Sequence, residues 1–177
     1  MSDIDFQNGL IAGLTLAGKT AIVGGGLEPD NKTYLYNQGD EHADITGGWV
    51  IGHSNGVGSQ SKQSNYLHLI GGSSGWGVRT YVTNSLIRLT DVNTIYVEWE
   101  NGGSNSTHTI SGMVISTVKT GNIDTNNAFV VVRSNFLPLI SQLDVSAITG
   151  DYYIRVHGQS NTAGVLSSLR VYRIWIE

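Results

Sequence analysis

The segment DYYIRVHGQ, residues 151–159, places aromatic, cationic and titratable side chains at alternating positions. In an extended strand, successive side chains point to opposite faces. One face then carries apolar side chains suited to a core, and the other carries Tyr153, Arg155 and His157. Aromatic rings can lie against the C–H faces of sugars, and planar polar groups can reach paired hydroxyls. The second face therefore has the side chains needed for contact with a saccharide.

Three other alternating segments repeat this composition on the face that is not apolar. They contribute Tyr66 and His68 in NYLHLIGG, Arg79 and Tyr81 in WGVRTYV, and Tyr96 and Glu98 in NTIYVEWEN. We interpret these residues, together with those of residues 151–159, as a contact face. Three uses of it remain open: a ligand-binding surface, a subunit interface rich in Tyr and Arg, or an ordinary surface of cross-strand polar pairs.

The four tryptophans fall into two groups by their surroundings. Trp76 lies in GGSSGWGVR, between Gly and Ser residues. It is either an exposed stacking surface for a sugar ring, and so part of the ligand site, or the start of a strand that turns inward. Trp49, Trp99 and Trp175 lie within alternating segments. We expect these three in the core.

Carboxylate residues suggest two further candidate sites, one catalytic and one for calcium. Neither sequence pattern is specific for its function. Glu98 and Glu100 share a strand face, and paired carboxylates about 5–10 Å apart carry out glycoside hydrolysis. Such a pair is more typical of surface charge that protects a sheet edge, so no catalytic residue is predicted. The run DEHAD, residues 40–44, lacks the spacing of a calcium loop. We interpret it as a solvated turn, with a structural calcium as the alternative, and predict no metal or other cofactor.

The amino-acid composition limits the classes of partner that the protein is expected to bind. The chain has 177 residues, 40% of them apolar, and only 14% are charged, about half the usual share. Its net charge of −4 argues against binding nucleic acid. No cysteine is present, which excludes disulfides and thiolate metal sites. The apolar run at residues 10–16 is too short to insert in a membrane, and the acidic N-terminus does not resemble a secretory signal. A polar, weakly charged surface suits neutral partners such as glycans.

The elements that position these residues are short strands. Residues 1–30 are rich in Gly and end in a triple glycine followed by Pro29, so they are either a connecting or oligomerising arm or a flexible tail. From residue 31 to residue 177, about ten short alternating segments are separated by Gly, Asn, Ser and Asp turns, with no helical period. This pattern predicts an all-β domain, a two-sheet antiparallel β-sandwich of jelly-roll type.

Three blocks resemble a known family. LYNQGDEHADITGGWV, RLTDVNTIYVEWENGGS and the closing LDVSAITGDYYIRVHGQ…SLRVYRIWIE are similar to modules at the tips of phage and prophage tail proteins of Gram-positive bacteria. The last block also resembles the closing strands of galactose-binding-like β-sandwiches. The resemblance covers residues 33–177, and it transfers no defined ligand residue.

The resemblance implies recognition of the host surface without catalysis. The expected partners are bacterial cell-wall polysaccharide or another surface glycan, and other phage tail proteins. The expected location is the tail of the virion, which acts outside the cell. Tail fibres of this kind are trimers, so a homotrimer is expected, and repeated sites would raise avidity. The alternatives are a structural tail or baseplate module, and a fragment of a depolymerase.

Overall fold

The computed structural model describes residues 31–42, 45–71, 77–102, 109–121, 129–132, 135–160 and 167–177. Residues 1–30, which the sequence assigns to an arm, lie outside the described residues, and so does Trp76. Residues Lys32–Glu177 form one compact unit. Within the described part of the chain, no helix is long and apolar enough to cross a membrane.

Thirteen strands are described. They are β1 (Thr33–Asn37), β2 (Asp40–Glu41), β3 (Trp49–Gly56), β4 (Gly58–Lys62), β5 (Leu67–Gly71), β6 (Gly77–Thr83), β7 (Ile87–Arg88), β8 (Thr94–Asn101), β9 (Thr109–Ser116), β10 (Phe129–Val132), β11 (Asn135–Asp144), β12 (Asp151–Ser160) and β13 (Ser167–Ile176). Alternation in the sequence predicts all of them except β2 and β4. Those two strands consist of Asp, Glu, Gly, Ser, Gln and Lys, and so lack the apolar and β-branched residues that indicate a strand.

The strands form two antiparallel sheets. Sheet I has the order β11-β8-β13-β1-β2; β5 lies beside β13 on the same side as β1, and β4 pairs with β5. Sheet II has the order β10-β9-β12-β6-β3, with β7 also beside β12. Successive strands pass from one sheet to the other, as in β5 to β6, β8 to β9, and β11 to β12 to β13. The predicted antiparallel β-sandwich is confirmed, and this connection pattern is that of a jelly roll.

The core lies between the sheets. Ile95, Val97 and Trp99 alternate along β8 and are fully buried, as the sequence predicts. Trp49 is also fully buried, and its indole N–H donates to the carbonyl of Leu35 at 3.0 Å. The indole N–H of Trp99 donates to the Ser141 hydroxyl at 3.0 Å. Each of these two core tryptophans therefore has its polar atom satisfied.

Candidate functional site

The prediction that Tyr153, Arg155 and His157 form an exposed face of β12 is wrong for two of these three residues. Arg155 and His157 are only 0% and 2% exposed, and Tyr153 is half-buried. The segment after β9 contacts this face, because the Arg155 guanidinium donates to the carbonyls of Val118 at 3.3 Å and Gly121 at 2.6 Å. Burial and the nearby Arg155 charge lower the pKa of His157 to about 3. Neither buried side chain can contact a saccharide on the surface.

Arg79 and Tyr81 are also buried, so the prediction that they lie on an exposed face is wrong. Every residue of β6 is buried, and Tyr81 packs in the core. Arg79 binds the bend between β3 and β4 by donating to backbone carbonyls. Its acceptors are Val78 and Asn55 at 2.7 Å, Gly58 at 2.8 Å and Gly56 at 3.0 Å. Arg79 therefore organises the backbone of this bend and does not form part of a surface site.

Tyr66, His68, Tyr96 and Glu98 lie together on the outer face of sheet I. The register pairs His68 with Arg170 and Arg170 with Glu100, so these three side chains form one row across three strands. Glu98 pairs with Arg173, and Tyr96 pairs with Trp175. The structure thus separates the predicted contact face into a buried part in sheet II and a partly exposed part in sheet I.

A β-bulge completes this face. The register of β13 against β8 shifts between Val171 and Arg173. Val171 is buried, whereas Tyr172 and Arg173 are both partly exposed and contact outward-facing carboxylates. An extra residue in one strand re-aims the side chains that follow it. We call the resulting surface the aromatic–ionic face, and it consists of Tyr34, Tyr66, His68, Tyr96, Glu98, Glu100, Arg170, Tyr172, Arg173 and Trp175.

Two ion pairs cross the centre of the aromatic–ionic face. Arg170 Nη1 lies 2.8 Å from Glu100 Oε1, and Arg173 Nη1 lies 2.9 Å from Glu98 Oε2. The hydroxyl of Tyr172 donates to the other oxygen of Glu100 at 3.2 Å. The two acidic charges are therefore matched by two basic charges, and all four side chains have defined positions.

One end of the face is a stack of aromatic rings. Trp175 and Tyr96 are stacked, with centroids 5.0 Å apart and an interplanar angle of 8°. The ring of Tyr34 lies 5.8 Å from Trp175, and Lys32 Nζ lies 5.9 Å from the centroid of the same ring. Trp175 is 6% exposed, so it is buried as predicted. It is not a core residue, however, because it lies on the outer side of sheet I.

The other end contains a second aromatic group around Tyr66. Its ring contacts His68 edge-on at 5.5 Å and Tyr172 at 5.7 Å, and the Arg170 guanidinium lies 5.7 Å from its centroid. His68 Nε2 lies 3.0 Å from the Ser168 hydroxyl. Burial, followed by the Arg170 charge, lowers the pKa of His68. At neutral pH His68 is therefore an uncharged hydrogen-bonding group.

Sequence reasoning missed half of this face. Tyr34, Arg170, Tyr172, Arg173 and Trp175 were not assigned to it. The segment SLRVYRIWIE carries a usable signal, since it places Arg and Tyr among apolar residues as DYYIRVHGQ does. The bulge after Val171 breaks the alternation there, so a strict period of two assigns Arg170 and Arg173 to opposite faces.

The acidic run at residues 40–44 has another role. The Glu41 carboxylate accepts the backbone N–H of Trp49 and lies 2.8 Å from Lys62 Nζ. Burial, followed by the nearby Glu41 charge, raises the pKa of Tyr36 to about 12. Residues 43 and 44 lie outside the described part of the chain, within which no group of three His, Asp or Glu side chains is placed to hold a metal ion.

The fold is shared with carbohydrate-binding modules. A family 29 carbohydrate-binding module from Piromyces equi superposes with a TM-score of 0.50 at 15% identity, over 82% of this chain and 89% of the module. A mutant of the second family 29 module, in complex with cellulohexaose, superposes with a TM-score of 0.50 at 10% identity, over 81% of this chain and 88% of the module. These similarities show the β-sandwich fold.

Part of a glycoside hydrolase structure has a similar fold. The glycoside hydrolase domain of Endo-D from Streptococcus pneumoniae R6 superposes with a TM-score of 0.54 at 16% identity. The match covers 73% of this chain but only 22% of the chain in that structure, so this chain spans about a fifth of its length. No protein family matches the sequence, and no curated protein is similar to it.

Proposed function

We propose that residues 31–177 form a carbohydrate-binding domain that holds polysaccharide on the aromatic–ionic face. The observation that carries this proposal is that one sheet face gathers four half-buried tyrosines around two Glu–Arg pairs. Tyrosine rings offer apolar surface for the C–H patches of sugars, and the charged groups offer hydrogen bonds to hydroxyls. The shared fold of carbohydrate-binding modules supports the same function.

The ion pairs make this face suitable for binding. A carboxylate accepts about four hydrogen bonds and a guanidinium donates five. Among the described residues, Glu98 makes one such contact, to Arg173, and Arg173 makes a second to Asn37. Both groups therefore keep free positions for sugar hydroxyls. Side chains already held by partners lose less conformational entropy when a ligand binds. The face is therefore preorganised and still has hydrogen-bonding capacity.

Binding without catalysis is part of the proposal. A glycoside hydrolase needs one carboxyl group as acid and a second as nucleophile or base. Glu98 and Glu100 are the carboxylates of the aromatic–ionic face, and each is bound to an arginine. We expect no release of reducing sugar from cell-wall polysaccharide. Such release would instead favour a depolymerase fragment.

We further propose that the domain recognises a host cell surface as part of a phage or prophage tail protein. The support is the resemblance of the three sequence blocks given above, together with a weakly charged surface that suits glycans. The polysaccharide of a bacterial cell wall is then the ligand. Repeated copies on one particle would raise avidity by roughly 10²- to 10⁴-fold over a single site.

Replacing Tyr66 with alanine is expected to weaken polysaccharide binding about fivefold or more, because losing an aromatic contact costs on the order of 1 kcal/mol. Tyr66 belongs to the proposed ligand site, where its ring contacts His68 and Tyr172. Tyr153 is the matched control, since it is also a half-buried tyrosine but belongs to sheet II. Calorimetric titration with isolated cell-wall polysaccharide measures the affinity of the Tyr66→Ala and Tyr153→Ala variants, and their melting temperatures show whether each variant is folded.

Two results, one from that titration and one from a glycan array, would count against the site. If Tyr153→Ala weakens binding and Tyr66→Ala does not, the ligand lies on sheet II. If the parent protein binds no polysaccharide on a glycan array, the domain is a structural tail module. The pairing of each carboxylate with an arginine favours that second function, because the charges of the face are balanced without a ligand.

The full chain is expected to be a trimer, in keeping with the resemblance to tail proteins. Light scattering at micromolar concentration should give a mass near three times the 19.0 kDa of one chain. A monomer would contradict the assembly without contradicting glycan binding, because the aromatic–ionic face is formed within one chain.

A further inference from the structure

A pocket opens at one end of the sandwich. It has a volume of about 240 Å³ and lies where strands of both sheets end. Its apolar lining comes from Leu35 and Ile176 of sheet I, Ile87 of sheet II, and Ile45 in the connection before β3. Ligand pockets for drug-sized molecules usually measure about 300–1,000 Å³. This pocket therefore fits a small group, such as one ring or a short alkyl chain.

The rim of the pocket combines apolar and cationic side chains. Leu86 lines it and is 47% exposed, so apolar surface continues from the pocket to solvent. Arg88 also lines it and is exposed. Asp151 is its cross-strand neighbour, yet the two side chains do not form an ion pair, and Arg88 makes no side-chain hydrogen bond within the described residues. Its guanidinium is available to an anion.

We propose that this pocket binds a small amphipathic carboxylate, with the apolar group among Leu35, Ile45 and Ile87 and the carboxylate at Arg88. The guanidinium presents five N–H donors in a geometry that matches a carboxylate. Thr33 and His42, which also line the pocket, add polar atoms at its edge. The site is separate from the aromatic–ionic face, because its residues Leu35, Ile45 and Ile87 are buried in the core, whereas that face lies on the outer side of sheet I. It does not depend on glycan binding.

The apolar part of the proposal is tested with a series of ligands. Butanoate, hexanoate and octanoate are titrated into the 177-residue chain while the methyl resonances of Ile45, Ile87 and Leu35 are followed by NMR. Each added methylene is expected to tighten binding about three- to fourfold until the pocket is filled. If the affinity does not change with chain length, or the shifted methyls lie elsewhere, the pocket is not the binding site.

The charged part is tested with hexanoate, hexanol and hexylamine, which share one chain length. We expect hexanoate to bind most tightly and hexylamine least. Arg88→Gln should weaken hexanoate about two- to fivefold and leave hexanol unchanged, whereas Asp151→Asn should strengthen hexanoate by removing a nearby negative charge. Both residues are exposed, so folding should be retained. Equal binding of hexanoate and hexylamine, or an unchanged affinity in Arg88→Gln, would overturn the assignment of an anionic ligand.

Discussion

Replacing Gly77 with alanine is expected to destabilise the sandwich by about 3 kcal/mol or more and to lower its melting temperature by roughly 10 °C. A Cβ atom on Gly77 would overlap the carbonyl oxygen of Val57 and lie 2.8 Å from its carbonyl carbon. Val57 is the single residue between β3 and β4. The backbone there must shift to admit even one methyl group, and this shift would disturb the bend that Arg79 holds through the carbonyls of Gly56 and Gly58.

Gly102→Ala is the matched control for this substitution. A Cβ atom on Gly102 would meet its nearest neighbour, the Ser168 carbonyl oxygen, at 3.8 Å, which is an ordinary contact. Urea denaturation of both variants should leave Gly102→Ala within about 1 kcal/mol of the parent. If Gly77→Ala is equally stable, the close approach of Val57 to β6 is incorrect.

Acid is expected to destabilise the protein through His157. Its native pKa of about 3 lies below the ordinary value of 6.5, because burial and the Arg155 charge disfavour the imidazolium form. Below pH 6.5 the unfolded chain therefore binds a proton that the native protein does not. The resulting stability is fully present above pH 6.5 and falls by up to about 1.4 kcal/mol per pH unit toward pH 3. Between pH 7 and pH 5 the expected loss is about 2 kcal/mol.

His157→Gln isolates this contribution from the carboxylates that also titrate in acid. The variant should be less stable than the parent at pH 7, because it alters a packed interior. The difference between the two should shrink by about 2 kcal/mol at pH 5. His68→Gln serves for comparison, since His68 is half-exposed and should give a smaller change. A parent–His157→Gln difference that is independent of pH would show that the pKa of His157 is the same in the native and unfolded states.

Local alternation in the sequence determined the strands and the inward-facing residues. In β8, Ile95, Val97 and Trp99 alternate with polar side chains, and the structure buries them between the sheets. The prediction is possible because successive side chains in a strand point to opposite faces, whatever the rest of the fold. The sandwich architecture follows from the number of such segments and their polar turns. The same reasoning identified Tyr66, His68, Tyr96 and Glu98, four residues of the aromatic–ionic face.

The tertiary structure alone decided which outward face meets solvent. Arg155 and Arg170 both alternate with apolar neighbours, and the sequence does not distinguish them. Arg155 is buried because its guanidinium binds the carbonyls of the segment after β9, whereas Arg170 meets Glu100 on a partly exposed sheet. The bulge at Tyr172 likewise follows from the pairing of β13 with β8. Burial and register depend on contacts between residues far apart in the chain, and a period of two carries no information about those contacts.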